Sequence, residues 1–237
     1  MLTHYTRAPF THFGEWKKRA SQAALFDRFL PHFQADAKVL EIGPGESHFA
    51  EQCHAHGIGY VGLEPSEPLR KRLEAAGFDV RPQAVPPIPF ENAHFDLVHS
   101  RDFVEHLPGG REVVQFFDES FRVLKPGGHV SVVAPNYSTT GKLFYEYEYQ
   151  HSYVTTPGRL LNLLHDSGFE IVDIRCFLFS MSRWWTWLDR LVVYLFVPLW
   201  LSSPVRGLAR ALLDARTVFR VDKNLTDHFA ILARKTA

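Results

Sequence analysis

The run Lys38-Val39-Leu40-Glu41-Ile42-Gly43-Pro44-Gly45 decides the fold of this chain. A short apolar strand, Lys38 to Ile42, passes directly into a turn with glycine at Gly43 and Gly45. Ser47 stands where a helix N-cap is expected, and the helix after it reaches about His56 before Gly57 and Gly59 break it. Downstream the pattern repeats. Tyr60-Val61-Gly62-Leu63 reads as a second strand ending on Glu64 and Pro65, and Ser66 caps a helix through Leu69, Leu73 and Ala76 that Gly77 stops. Phe78 to Val80 is a short third strand, followed by a proline-rich loop. Phe95 to Ser100 is the fourth, with a helix from about Arg111 to Leu124 behind it. Lys125-Pro126-Gly127-Gly128 predicts a tight turn into a fifth strand, His129 to Ala134, which ends at Pro135. Tyr137 to Thr156 lacks periodicity and reads as a polar, aromatic loop. Thr156 and Pro157 then start a helix that runs to Ser167 and Gly168. Glu170 to Phe177 and His228 to Ala233 are the sixth and seventh strands. Upstream, Trp16, Ala20, Ala23, Ala24, Phe26, Phe29 and Leu30 at helical spacing predict a helix within residues 15–33 that Pro31 ends. Strands alternating with helices of this length make an α/β fold with a doubly wound, mostly parallel sheet.

At 237 residues the chain suits one domain. Its expected divisions are an N-terminal helical cap (1–34), a ligand-binding core (35–177), an aromatic helical insertion (178–227) and a final strand (228–237). Lys+Arg and Asp+Glu both number 26, so global charge points to no nucleic-acid partner. The two cysteines, Cys53 and Cys176, form no metal or disulfide pattern, which suits a reducing cytoplasm. The opening residues lack a basic segment followed by an apolar run, so no signal peptide is expected.

Ligands of such sheets sit at the carboxyl ends of the strands, usually beside the first strand–helix turn. Gly43 and Gly45 let a ligand approach the main chain, and Glu64, at the end of the next strand, can accept hydrogen bonds from both hydroxyls of a ribose. A dinucleotide fingerprint needs a third small residue, where this chain has His48, and Glu46 is poorly placed beside a pyrophosphate. An adenosyl sulfonium zwitterion fits the turn better.

With V-L-E-I-G-P-G, Y-V-G-L-E-P, F-D-L-V-H-S, R-D-F-V-E-H-L and L-K-P-G-G-H-V in this order, the chain resembles class I S-adenosylmethionine-dependent methyltransferases, in particular the ubiquinone-biosynthesis-like, type 11 group. The resemblance covers about residues 35–177 and the last strand. It implies a Rossmann-like, seven-stranded sheet with the last strand antiparallel, S-adenosylmethionine as cofactor and S-adenosylhomocysteine as product. It further implies that Glu41 holds the methionine end, that Gly43 and Gly45 border the cofactor, and that Glu64 binds the ribose. Gln83-Ala84 would contact the adenine, and Ser100 and Arg101 would offer backbone groups to the ammonium. Glu46-Ser47 departs from the small pair common at that place.

Methyl transfer is an in-line displacement that depends on positioning and water exclusion, with a base needed only for a protonated acceptor. His106 and His151 are the candidate catalytic residues, and Tyr137 and Tyr153 the candidate acceptor contacts. For each histidine a purely structural role stays open. No spacing demands a metal ion, and none is expected.

Between the sixth and seventh strands, roughly fifty residues hold Trp184, Trp185, Trp187 and Trp200 and more arginines than aspartates. The charge-free run is too short for a membrane span, and Pro198 interrupts it. The segment reads as a subdomain packed on the core, as an interfacial hairpin that brings residues 183–206 to the inner membrane surface, or as a homodimer interface or lid. The function expected is methyl transfer to a small-molecule acceptor, with an apolar, lipid-linked or quinone-like one favoured. A nicotinamide-dependent oxidoreductase and a non-catalytic membrane or protein adaptor are the alternatives.

Overall fold

Neighbouring residues of β1 (Lys38–Ile42) face opposite sides of the sheet and seed two separate cores in the computed structural model. Leu40 and Ile42 join Val98, Val132, Phe116 and Leu160 on one side. Val39 joins Phe26, Phe29, Phe49 and Leu97 on the other. The structure describes residues 12–33, 36–46, 48–142, 144–145, 148–177, 195–196, 199, 202–213 and 228–236. Ser47 and the four tryptophans of the insertion lie outside the described residues, as does most of the insertion itself.

The sheet has seven strands in the order β3-β2-β1-β4-β5-β7-β6. They are β1, β2 (Gly59–Leu63), β3 (Val80–Arg81), β4 (Phe95–Arg101), β5 (Leu124–Pro135), β6 (Phe169–Phe177) and β7 (His228–Lys235). The pairs among β1 to β5 are parallel. β7 runs antiparallel to both of its neighbours, as expected of a class I sheet. Helices α1 (His12–Phe29) and α2 (His48–Ala55) bring Phe26, Phe29 and Phe49 to one face. Helix α4 (Gly110–Val123) and the helix Pro157–Asp166 bring Phe116, Phe117, Leu160 and Leu164 to the other. Helix α3 (Glu67–Ala75) follows β2 and buries Leu73.

Several boundaries differ from those the sequence suggests, each for a local reason. α1 ends at Phe29, and Leu30–His32 continue as a 3₁₀ turn in which Pro31 is tolerated because it lies in the first positions. The third strand starts at Val80 because the Phe78 amide bonds the Leu73 carbonyl and closes α3. Ser66 does occupy the N-cap of α3, yet its side chain makes no capping bond. The Lys125-Pro126-Gly127-Gly128 turn is absorbed into β5 as an irregularity, with Phe95 opposite Leu124 and Leu97 already opposite His129. Gly127 adopts φ +76°, and a β-carbon on Gly128 would sit 2.9 Å from the Lys125 carbonyl oxygen. Within the expected loop after β5, Tyr137–Thr140 form one helical turn, capped by the Asn136 side chain accepting from the Ser138 amide.

His99, on β4, is fully buried, stacked on Phe49 at 4.2 Å between centroids, with Nδ1 3.1 Å from Ser131 Oγ. Burial, and next the charge of Arg101, push its pKa down to about 3. An unfolded histidine titrates at about 6.5, so His99 supports folding fully above that pH and loses the support as pH falls toward 3. Replacing it, as His99→Gln, should shrink the loss of melting temperature between about pH 7 and about pH 4.5. Thermal melts of both proteins across that window check this.

Candidate active site

The strand order turns back between β1 and β4, and ligands of doubly wound sheets gather beyond the carboxyl ends of the strands at such a point. A cavity of about 790 Å³ opens there, a size suited to a small-molecule site. The β1 turn contributes Glu41, Gly43, Pro44 and Gly45, and the end of β2 contributes Leu63 and Glu64. Gln83, Ala84 and Val85 follow β3, whereas Arg101, Asp102, Phe103, His106 and Leu107 follow β4. Gln22 reaches the wall from α1, and Tyr149, Gln150 and Ser152 reach it from the loop after β5.

Gly43 and Gly45 have φ of +64° and +59°, a region where a side chain is strained, so the turn depends on glycine at both places. Glu41 is 1% exposed and accepts a 2.7 Å hydrogen bond from the Tyr60 phenol. The phenol has room because Gly62, the register partner of Glu41, lacks a side chain. A β-carbon there would lie 3.0 Å from the Tyr60 oxygen and 3.2 Å from Pro44 Cγ. Neither Tyr60 nor Gly62 was legible as part of the site. Their signal is a glycine two positions from a tyrosine, on the same side of a strand.

Glu64 is 5% exposed, and its Oε1 accepts from the Ser66 amide at 2.8 Å. Burial pushes its pKa up, opposed by the Ser66 and Gly45 amides and by Arg70. A carboxylate this desolvated gains from any donor that enters the cavity. Gln22 adds a further unmet demand. It is buried, and its Oε1 has no hydrogen-bond partner among the described residues.

Seven of the sequence candidates, Glu41, Gly43, Gly45, Glu64, Ala84, Arg101 and His106, line this one cavity. Ser100 is buried at the end of β4 and stands off the wall. The Arg101 guanidinium donates to Ser21 Oγ at 2.8 Å, tying α1 to the sheet. His151 lies behind His106, with ring centroids 4.9 Å apart. Its Nδ1 donates to the Phe144 carbonyl at 2.6 Å, so the lone pair stays on Nε2. Burial first, and His106 next, push the His151 pKa down to about 4, which keeps the ring neutral at ordinary pH. Tyr137 packs against Phe144 and Tyr145 away from the cavity wall. Tyr153 is 6% exposed within the main core, with the Arg159 guanidinium 4.4 Å over its ring. The loop side chains that do line the wall are Tyr149, Gln150 and Ser152.

Glu105 is fully buried beneath this loop. Burial, then the neighbouring Asp102, hold its carboxyl well above the usual range. Its carbonyl accepts from the Ser152 and Tyr153 amides at 2.8 and 3.0 Å, which fastens the β5 loop to the β4 loop. Although the sequence leads to no expected metal, Glu105, His106 and His151 come together here with metal-ligating atoms.

A family model described as a methyltransferase domain matches residues 13–174. A protein named as a probable S-adenosylmethionine-dependent methyltransferase of Mycolicibacterium smegmatis is 31% identical over 148 residues, 61% of this chain and 56% of that one. The chain thus spans about half the length of that relative. The ubiquinone biosynthesis O-methyltransferase of Roseobacter denitrificans is 27% identical over 182 residues, 68% of this chain and 72% of that one. A SAM-dependent methyltransferase structure from Archaeoglobus fulgidus superposes with a TM-score of 0.61 at 20% identity, covering 95% of this chain and 100% of that one.

The donor set suits S-adenosylmethionine. Glu64 has need of hydroxyl donors, the buried Gln22 oxygen and Glu41 lie in the same wall as acceptors for a cationic amine, and Leu63, Val85 and Phe103 offer apolar surface to a purine. The bulky His48, buried in the wall at the start of α2, stands where a dinucleotide's pyrophosphate would need a small residue. Glu64→Ala should weaken S-adenosylhomocysteine binding by about 1–3 kcal/mol, the worth of charge-assisted hydrogen bonds lost. Calorimetric titration of both proteins measures it, and equal affinities would remove the ribose assignment.

Proposed function

Because the chain belongs to the methyltransferase-domain family of class I S-adenosylmethionine-dependent enzymes, we propose that it moves a methyl group from S-adenosylmethionine to a small apolar acceptor, quinone-like or lipid-linked, and releases S-adenosylhomocysteine. The observation that carries this reading is that one cavity holds both halves of the site. Buried carboxylates and strained glycines line one part of it, while His106, Tyr149, Gln150 and Ser152 line another.

In this reading the cofactor supplies a methyl group on a cationic sulfur, and the chain supplies placement. Glu64 takes the ribose hydroxyls, Glu41 and Gln22 receive the ammonium end, and Gly43 and Gly45 let the main chain come close. Ala84 borders the adenine, and the backbone of Ser100 and Arg101 helps hold the amino acid end. Phe103, Leu107 and Pro108 keep water from the reacting atoms, which favours displacement over side reactions. On the acceptor side, His106 meets the acceptor hydroxyl, with the neutral His151 behind it. Tyr137 and Tyr153 brace the acceptor loop from within.

The match to a ubiquinone biosynthesis O-methyltransferase supports a phenolic or quinol-like acceptor. An apolar acceptor would be collected from a bilayer, and the insertion carries features that support contact with one. Leu208 and Leu212, on the helix Ser203–Leu212, are 61% and 73% exposed. Leu195, Phe196 and Leu199 are also exposed, within the 183–206 region proposed to lie on anionic lipid. Among the described residues no helix is long and apolar enough to cross a membrane.

Incubation with radiolabelled S-adenosylmethionine and separate lipid-soluble and aqueous cell extracts tests the acceptor class. Label should enter the lipid-soluble fraction, and incorporation confined to the aqueous fraction would overturn the acceptor. Tight NADH binding without S-adenosylhomocysteine binding would overturn methyl transfer itself. In flotation with anionic vesicles, the full chain should rise with the lipid, and the double change Leu208→Ser, Leu212→Ser should leave more of it at the bottom.

A further inference from the structure

The loop after β4 and the loop after β5 bring together a chemical set that methyl transfer alone does not require. One carboxylate oxygen of Glu105 and one ring nitrogen each of His106 and His151 lie within 4.8 Å of one another. We propose that Glu105, His106 and His151 bind one divalent transition-metal ion of the zinc class beside the acceptor side of the cavity.

Three independent features support a built site over a chance meeting of side chains. First, Glu105 is 1% exposed, and its Oε2 has no hydrogen-bond partner among the described residues, a costly arrangement that a bound cation would relieve. Second, His151 is oriented as metal-ligating histidines are. Its Nδ1–H is given to the Phe144 carbonyl at 2.6 Å, which fixes the tautomer and leaves Nε2 as the nitrogen able to coordinate. Third, the two contributing loops are clamped in place. The Glu105 carbonyl accepts from the Ser152 and Tyr153 amides, so the segment bearing His151 is tied to the segment bearing Glu105 and His106.

Ligand chemistry selects the ion. Two imidazoles and one carboxylate form a zinc-type set that leaves a fourth position for water or substrate, whereas magnesium and calcium prefer all-oxygen surroundings. Ligand atoms about 2.0–2.1 Å from a tetrahedral ion stand roughly 3.3 Å apart, so the three groups need a modest inward rotation to close on it. His106 lines the cavity, so an ion beside it is within reach of a ligand entering the cavity. This part rests on the methyl-transfer reading: such an ion would lower the pKa of an acceptor hydroxyl. The hydroxyl proton leaves to solvent, the carbon–sulfur bond breaks with its electron pair remaining on sulfur, and the oxygen–carbon bond forms. The two histidines then act by coordination and not as proton acceptors.

The test uses the full chain, stripped with a chelator and titrated with zinc ion by calorimetry, with cobalt ion as a spectroscopic probe. One equivalent of zinc should bind, and cobalt should give visible absorption of a nitrogen–oxygen site. Glu105→Gln and His151→Asn should each weaken zinc at least tenfold and bleach the cobalt band. His165→Gln, an exposed histidine elsewhere, should change neither. Each variant is first shown to keep its circular dichroism spectrum and its S-adenosylhomocysteine affinity. Zinc binding that is absent, or that both variants retain at wild-type strength, overturns the metal site and leaves the methyl-transfer reading standing. Loss of S-adenosylhomocysteine binding by the wild type has the opposite outcome, since the zinc titration does not depend on it.

Discussion

Holding two carboxylates out of water at the ends of adjacent strands is the constraint from which the site follows. Glu41 and Glu64 are both almost wholly buried, and burial of an ionised carboxylate costs several kcal/mol unless donors meet it. The chain meets part of that demand itself, through the Tyr60 phenol and the Ser66 amide. Each of these donors imposes a further requirement. Tyr60 can reach Glu41 only because Gly62 leaves space, and the Gly45 amide can turn toward Glu64 only because the backbone there is left-handed. The burial of Glu64 and of the Gln22 oxygen is the demand that a hydroxyl-rich, positively charged ligand is proposed to answer.

Two sets of loops divide the work around the cavity. Those after β1, β2 and β3 carry the acids, the strained glycines and the Gln83–Val85 segment, the part of the wall proposed to hold the adenosyl group. Those after β4 and β5 carry imidazoles, an aromatic ring and small polar groups, and Glu105 joins them through its own carbonyl. α1 belongs to both. It places Gln22 in the wall, and it is fastened to the sheet by Arg101 through Ser21 and by the ion pair of Arg28 with Asp173 at 2.5 Å. The N-terminal helix therefore forms part of the cavity wall.

The alternation of apolar strands and glycine-closed helices was legible because each element carries its own periodicity and its own stop signal. β1 matches its expected limits residue for residue, and the Thr156–Pro157 helix start was equally clear. Where long-range packing decides, local pattern fell short. Nothing near Lys125 announces that the four-residue turn is held within β5, since that depends on pairing with β4. The strand-end part of the cavity wall was legible because its residues follow the strands in fixed order. The other side was not. Tyr153 has the composition of a pocket residue, but packing draws it into the core, while its neighbours Tyr149 and Ser152 reach the wall. Glu105 and His151 lie far apart in sequence, and no spacing rule connects them.

The placement of β7 has a consequence for how the molecule is made. Phe229, Ile231 and Ala233 face into one core and Ala230 and Leu232 into the other, and the strand lies between β5 and β6. Until the ribosome has released this segment, β5 lacks its outer neighbour and both layers stay open to solvent. A nascent copy therefore carries exposed apolar surface until β7 has been made, a period in which chaperones or self-association compete with folding. Closure of the sheet waits on the segment His228–Lys235, the partner that both β5 and β6 require.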